Sequence, residues 1–267
     1  IPQPPQRTEE WYRFRYNLIT ASNAYKCLGT DSKKNEIICE KCKDFVIHSG
    51  GFEDLDGPLH WGVKYEPLSV MYYEYYYNTK VEDFGCIQHQ KYKFMGASPD
   101  GINVDPSSNL YGRMLEIKCP KSRVITGFIP EVYQAQIQGQ LEVCDLEYCD
   151  FLECDIKTYN CKQDFIDDSF IREDGTVDYT RTKLGNEKGA LFETLDSTNM
   201  KYSYEYCYDE FKNIDEIEQW EEPFIDKILE SDNLEHAGTT LWYLNKISIV
   251  LVKRNREWFQ SNFYKIK

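Results

Sequence analysis

Apolar and polar positions recur along this chain with two periods, and these divide it into elements. From Leu59 to Asn78, Trp61, Tyr65, Leu68, Tyr72 and Tyr75 return at intervals of three and four, the stripe of a long helix with one buried face. Pro67 within it predicts a kink, or a helix that starts only there with Glu66 near its N-terminus. Residues 8–28 read as two short helices. Thr8 is the N-cap candidate, Trp11, Phe14 and Leu18 follow at helical spacing, and Gly29 stops the second. Alternation of period two predicts strands over 80–90, 91–104, 113–120, 147–159 and 242–253. Helices are expected over 129–143, 215–231 and 255–264. Residues 30–58 are polar and Gly-containing, and read as an insertion or mobile excursion, with a small hairpin built around Cys39 and Cys42. From 160 to 213 the pattern weakens. The order helix, strands, helix, strand over 59–159 predicts an α/β (α+β) core with a central mixed β-sheet and helices on both faces. The whole of 1–267 reads as one domain, with 30–58 inserted and 160–267 a C-terminal elaboration.

Two stretches within that core carry chemistry. The first, Phe-Met-Gly-Ala-Ser-Pro-Asp-Gly at 94–101, puts Asp100 at a strand end before a glycine turn. The second, Arg-Met-Leu-Glu-Ile-Lys-Cys-Pro at 113–120, is a strand in which Glu116 and Lys118 share one face while Leu115, Ile117 and Cys119 take the other. A hairpin between them would gather two carboxylates and an ammonium, a set suited to a hard cation with an electrostatic or acid/base helper. In the helix over 129–143, Gln136 and Gln140 form a column at i, i+4. Such a column can aim amides into a polar site or form a solvated outer face; spacing alone divides evenly between the two. Arg15 beside Ser22, which begins a helix, suits a phosphate, because a guanidinium fork and helix N–H groups both favour anions. A solvated Arg and an ordinary N-cap Ser is the plainer account of that pair.

Composition changes this picture in three ways. The chain is 41% hydrophobic and 28% charged over 267 residues, enough for one large core, and 15% aromatic with 21 Tyr. Its formal net charge is −14, which argues against a basic nucleic-acid footprint over the whole surface. Exposed charges are screened beyond about 8 Å at physiological salt, so the local patch decides. Lys91, Lys93, Arg113, Lys118, Lys121 and Arg123 are expected around the site. The ten Cys lie at irregular spacings, and without a visible secretory segment they favour reduced thiols in an intracellular setting. Cys39-Glu-Lys-Cys42 is a lone C-x-x-C; Cys27 or His48 could complete a zinc site, but a loop with two solvated thiols is the favoured reading. No run of about 18 apolar residues predicts a membrane span.

As a set, Glu66, Ser-Pro-Asp100-Gly, Leu-Glu116-Ile-Lys118 and Tyr-Gln-Ala-Gln136-Ile-Gln fall in the order and spacing of the PD-(D/E)XK nucleases. More narrowly they resemble the phage-lambda-type alkaline exonucleases and related viral recombination nucleases. Trp11-x-x-x-Arg15-x-x-x-Ile-Thr-Ala-Ser22 is similar to that family's N-terminal motif. The resemblance covers roughly 8–29 and 59–159. It implies a restriction-endonuclease-like core and a divalent cation, Mg²⁺ with Mn²⁺ able to substitute, ligated by Asp100, Glu116 and the backbone carbonyl of Ile117. Glu66 would assist through water or at a second metal. Lys118 would orient or deprotonate the attacking water, Gln136 would support the site, and Arg15 with Ser22 would hold a terminal 5′-phosphate. The activity implied is 5′ to 3′ digestion of linear duplex DNA ends in viral or phage-type recombination or genome processing. A subunit ring, a single-strand annealing protein as partner and a place in the cytoplasm or nucleus of an infected host cell follow from the resemblance only. The alternatives are a structure- or site-specific endonuclease on the same core, and a catalytically silent DNA-binding domain.

Overall fold

The computed structural model describes residues 3–46, 57–208, 211 and 213–267. Its centre is a seven-stranded mixed sheet in the order β11-β10-β12-β7-β6-β5-β2. The strands are β2 (Val81–Glu82), β5 (Gly101–Asn103), β6 (Met114–Lys118), β7 (Tyr148–Thr158), β10 (Lys188–Asp196), β11 (Lys201–Cys207) and β12 (Leu234–Lys253). Among the described strands of this sheet only β6 and β7 run parallel, with Glu116 opposite Phe151 and Lys118 opposite Glu153. A parallel pair needs a crossover, and helix α5 (Glu131–Cys144) supplies it. A smaller sheet pairs β1 (Ile19–Thr20) with β4 (Met95–Ala97), and β4 with β3 (Ile87–Gln88). The regions expected as two continuous strands over 80–104 are thus four short ones, shared between two sheets.

Alternation along β6 and β7 assigns the two sheet faces. Leu115, Ile117, Cys119, Leu152, Cys154 and Ile156 pack with Tyr65, Leu68, Tyr72 and Tyr73 of helix α4 (Pro58–Tyr77). Met114, Cys149 and Phe151 pack instead with Ile137 and Leu141 of α5. Helices on both faces of a mixed sheet are the architecture the pattern predicts. Helix α4 has Pro58 in its first turn and runs through Pro67 to a left-handed cap at Asn78, φ 46°. Glu66 therefore sits mid-helix rather than at a start. Tyr75, expected on the buried stripe, is exposed, and Tyr73 takes the interior place with its hydroxyl donating to Asp150 at 2.7 Å.

Helix α1 (Glu9–Tyr16) begins at Thr8, whose hydroxyl accepts the Trp11 N–H, as an N-cap should. A 3₁₀ turn at Ala21–Asn23 and α2 (Ala24–Leu28) follow. Residues 31–42 form helix α3 (Asp31–Cys42) rather than a hairpin. Thr30 adopts the extended backbone of an N-cap, and Lys33–Glu36 and Lys34–Asp31 pairs at i, i+3 lace the exposed face. Cys39 and Cys42 lie exposed near its end, and His48 falls outside the described residues.

The stretch after 160 belongs to the sheet. Past α6 (Lys162–Asp167) and the hairpin of β8 (Phe170–Ile171) and β9 (Val177–Asp178), β10 and β11 extend one edge. Helix α7 (Ile214–Leu229) packs on β12 through its apolar face, with Ile217 buried. Helix α8 (Arg256–Ile266) closes against the small sheet, Phe263 meeting Tyr92. Lys188 is buried where the excursion meets the sheet. Its ammonium donates to the Asp168 carbonyl at 2.8 Å and the Ser169 hydroxyl at 2.9 Å, and burial pushes its pKa down to about 8. Among the described residues no helix is long and apolar enough to cross a membrane.

Candidate active site

The register of β5 on β6, with Gly101 opposite Leu115, sets Asp100 beside the middle of β6. The Asp100 carboxylate accepts the Ile117 N–H at 2.6 Å, so the first acid is fixed to the backbone of the strand that carries the second. Glu116 is fully buried on the α5 face. One of its oxygens accepts from Gln136 at 2.6 Å and from the Lys118 ammonium, and the other accepts from Gln140 at 2.7 Å. The glutamine column thus points at the carboxylate, and the solvated-face account of it does not hold. An acid taken wholly out of water needs such donors.

Glu66 reaches the same place from α4 on the opposite face of the sheet. Together with Asp100, Ile117, Lys118, Tyr133 and Gln136 it lines a cleft of about 500 Å³ at the C-terminal end of β6. The electrostatics follow from this crowding. Burial raises the Asp100 pKa well above the carboxylate range, and the neighbouring Glu116 and Glu66 raise it further. Glu66 is also shifted up, first by burial, with Arg7 and Lys118 opposing. For Lys118 burial disfavours the ammonium, yet Glu116 and Asp100 outweigh it, and the pKa lies above the ordinary lysine value. Lys118 is therefore charged at neutral pH.

Arg15 and Ser22 meet as expected, and a residue not anticipated joins them. The Arg15 guanidinium donates to Ser98 at 2.9 Å and Ser22 at 3.4 Å, while stacking 4.3 Å from the Trp11 ring. Ser22 shares a 2.9 Å hydrogen bond with Thr20. Ser98 lies two residues before Asp100, and its carbonyl accepts from Gln140 at 3.4 Å. Gln140 therefore touches both the buried Glu116 and the backbone of the Arg15 cluster. A Cβ on Gly139 would lie 3.2 Å from the Cβ of Ala21, so the glycine lets α5 approach the Ser22 turn without crowding.

The expected basic patch is narrower than its sequence neighbourhood. Lys118, Lys121 and Arg123 line the cleft. Arg113 stands at the far end of β6, five residues or roughly 16 Å from Lys118 by strand rise, and there it pairs with Asp150 at 3.4 Å. Lys91 and Lys93 lie in the β3–β4 turn, where Lys91 covers the Tyr92 ring. Arg123 is itself paired with the buried Glu153. Sequence reasoning passed over Ser98 and over Arg7, whose guanidinium lies 3.1 Å from Glu66. Neither carries a local signal, whereas Gln140 was visible through its place four residues after Gln136.

Asp100 and Glu116, with the Ile117 carbonyl, are an all-oxygen donor set of the kind Mg²⁺ or Mn²⁺ takes while keeping several waters. Among the described residues no group of three or more His, Cys, Asp or Glu stands ready to enclose a metal. The Asp100 carboxylate, shifted up first by burial and then by the adjacent Glu116, nevertheless sits where a cation would stabilise its charged form. The donor set fits such an ion.

The chain is 31% identical over 289 residues to uncharacterized protein R354 of Acanthamoeba polyphaga mimivirus, spanning 98% of this chain and about half, 51%, of that relative. Among crystal structures it is similar to the alkaline exonuclease LHK-Exo of Laribacter hongkongensis, at 22% identity, TM-score 0.46, and 82% and 92% of the two chains. It is likewise similar to a phage-related exonuclease from Haemophilus somnus 129PT, at 13% identity, TM-score 0.43, and 93% and 90% coverage. Residues 10–147, more than half of the chain, match the model of the YqaJ-like viral recombinase domain. This chain belongs to the YqaJ-like viral recombinase domain family, as its likeness to the viral recombination nucleases implies.

Proposed function

We propose that this domain is a divalent-metal-dependent exonuclease that degrades linear duplex DNA from the 5′ side, in viral recombination or genome processing. One observation carries the reading. A carboxylate pair with an ammonium lies within reach of an Arg–Ser–Ser cluster suited to a phosphate, and Gln140 touches both. Arg15, Ser22 and Ser98 would take the terminal phosphate, and the cleft beside Asp100 and Glu116 the scissile phosphodiester.

Asp100 and Glu116, with the Ile117 carbonyl, would hold Mg²⁺, or Mn²⁺ in its place. Bound there, such an ion lowers the pKa of its water and polarises a phosphoryl oxygen. Lys118 would orient or deprotonate the attacking water and offset the charge developing on phosphorus. Gln136 and Gln140 keep Glu116 from turning away. Zinc at Cys39 and Cys42 has no part in this scheme. Double-stranded ends are the substrate, and the strand left behind would pass to a single-strand annealing protein.

The test is digestion of 5′-phosphorylated linear duplex with Mg²⁺. Lys118→Ala is expected to lose roughly 10²–10⁴ in rate. EDTA should abolish cleavage, and 5′-hydroxyl ends should be cut more slowly. Cleavage of closed circular DNA at the linear rate would favour an endonuclease instead. Absence of any Mg²⁺-dependent cleavage would leave a silent DNA-binding domain.

A further inference from the structure

Resting on that reading, we propose that Arg7 supplies the positive charge on the Glu66 side of the site, so that this domain works with one divalent cation where a second would otherwise be held. Residues 3–8 form a strap across the carboxylates. Gln6 donates to Asp83 at 2.9 Å and to the Pro99 carbonyl at 3.3 Å, and Thr8 donates through its hydroxyl to the Pro5 carbonyl at 2.8 Å. The Pro4 carbonyl sits where a Cβ of Gly85 would be, 2.3 Å away. So anchored, the strap delivers the Arg7 guanidinium to Glu66 at 3.1 Å.

The backbone of Arg7 is unusual. Its φ is 64°, the left-handed region that a non-glycine residue enters at a cost. Its ion pair is partly solvated, with side chains 45% and 30% exposed, and such pairs add little to folding. The strain is therefore not offset by a stabilising contact, whereas strain of this kind collects at functional sites. Geometry gives it a purpose. The Arg7 guanidinium covers the Glu66 carboxylate at 3.1 Å, while Asp100 and Glu116 lie with Lys118 on the other side of the cleft. A second divalent cation would have to displace Arg7 from Glu66.

The experiment counts Mn²⁺ bound by the whole chain, using electron paramagnetic resonance of free against bound ion, with cleavage followed in parallel. The unaltered chain should bind one Mn²⁺. Arg7→Gly removes the charge and accepts the positive φ without strain, so it should fold at least as well. It should bind two, and its cleavage should turn from a hyperbolic to a sigmoidal dependence on Mg²⁺, falling roughly 10²-fold at limiting metal. Arg7→Lys should keep one site. Two Mn²⁺ on the unaltered chain, or one on Arg7→Gly, overturns the role of Arg7 and leaves the nuclease reading standing. No bound Mn²⁺ in any form overturns both.

Discussion

Asp100 holds its proton more tightly in the folded chain than a free carboxylate does, because protein surrounds it and Glu116 stands beside it. The folded state therefore binds a proton that the unfolded chain releases near pH 4. Stability falls as the pH climbs from that value through the folded pKa, and at neutral pH the metal-free domain bears the loss. Asp100→Asn keeps an acceptor for the Ile117 N–H and removes the charge. Without metal at pH 7 this variant is expected to be more stable by about 1 kcal/mol or more, while losing cleavage. Paired thermal melts at pH 4 and pH 7 check this, since the gain should shrink at the lower pH. At this scale the sequence was largely legible. Glu116 and Lys118 lie on β6, whose alternation puts them on one face, and Asp100 stands in the turn that enters the adjoining β5. Arg7 was not legible, since nothing local tells that a strap will fold back some sixty positions along the chain onto Glu66.

Among the elements, α5 does two jobs. Gln136 and Gln140 hold Glu116, and Gly139 lets the same helix lie against the Ser22 turn. Gly139→Val should force these apart. Overpacking of this kind costs about 1–3 kcal/mol, and the preference for 5′-phosphorylated over 5′-hydroxyl ends should fall by more than the overall rate. Measuring cleavage of both ends across the variant and the unaltered chain decides it. Helix α5 was predicted to within two residues at either end, but the direction of its glutamines was open, because a period of 3.6 specifies faces and not what they meet. Helix α3 was missed for a related reason. Its apolar positions are few, Ile37 alone being buried, and charged i, i+3 pairs support it instead. Strands β10 and β11 were missed because β11 is an edge strand whose residues alternate between exposed and half-buried, so the contrast across its faces is slight.

The whole molecule carries a net charge of −14, yet the candidate cleft is lined by cations. Lys118 is paired there with Glu116 and Arg123 with Glu153, and Lys121 lies over the Trp61 ring. Few counterions are then released on binding, so log affinity for duplex DNA against log salt should have a slope shallower than about −4. Fluorescence anisotropy across a salt series would measure it, and a steeper slope would mean that a wider basic surface takes part. The fold class was readable because strands and helices over 59–159 announce a two-faced sheet; the reach of that sheet was not, since its remaining strands come from the far end of the chain. Strand β12 lies between β10 and β7, paired to β7 from Trp242 to Lys253 and to β10 from Leu234 to Tyr243. A fragment cut to residues 10–147, the segment that matches the family, would lose β7 as well as β12. It would expose the edge of β6 that β7 covers as a template for self-association, so a minimal soluble version must keep β7, and with it the β12 strand that pairs along β7, even though no candidate active-site residue lies on either.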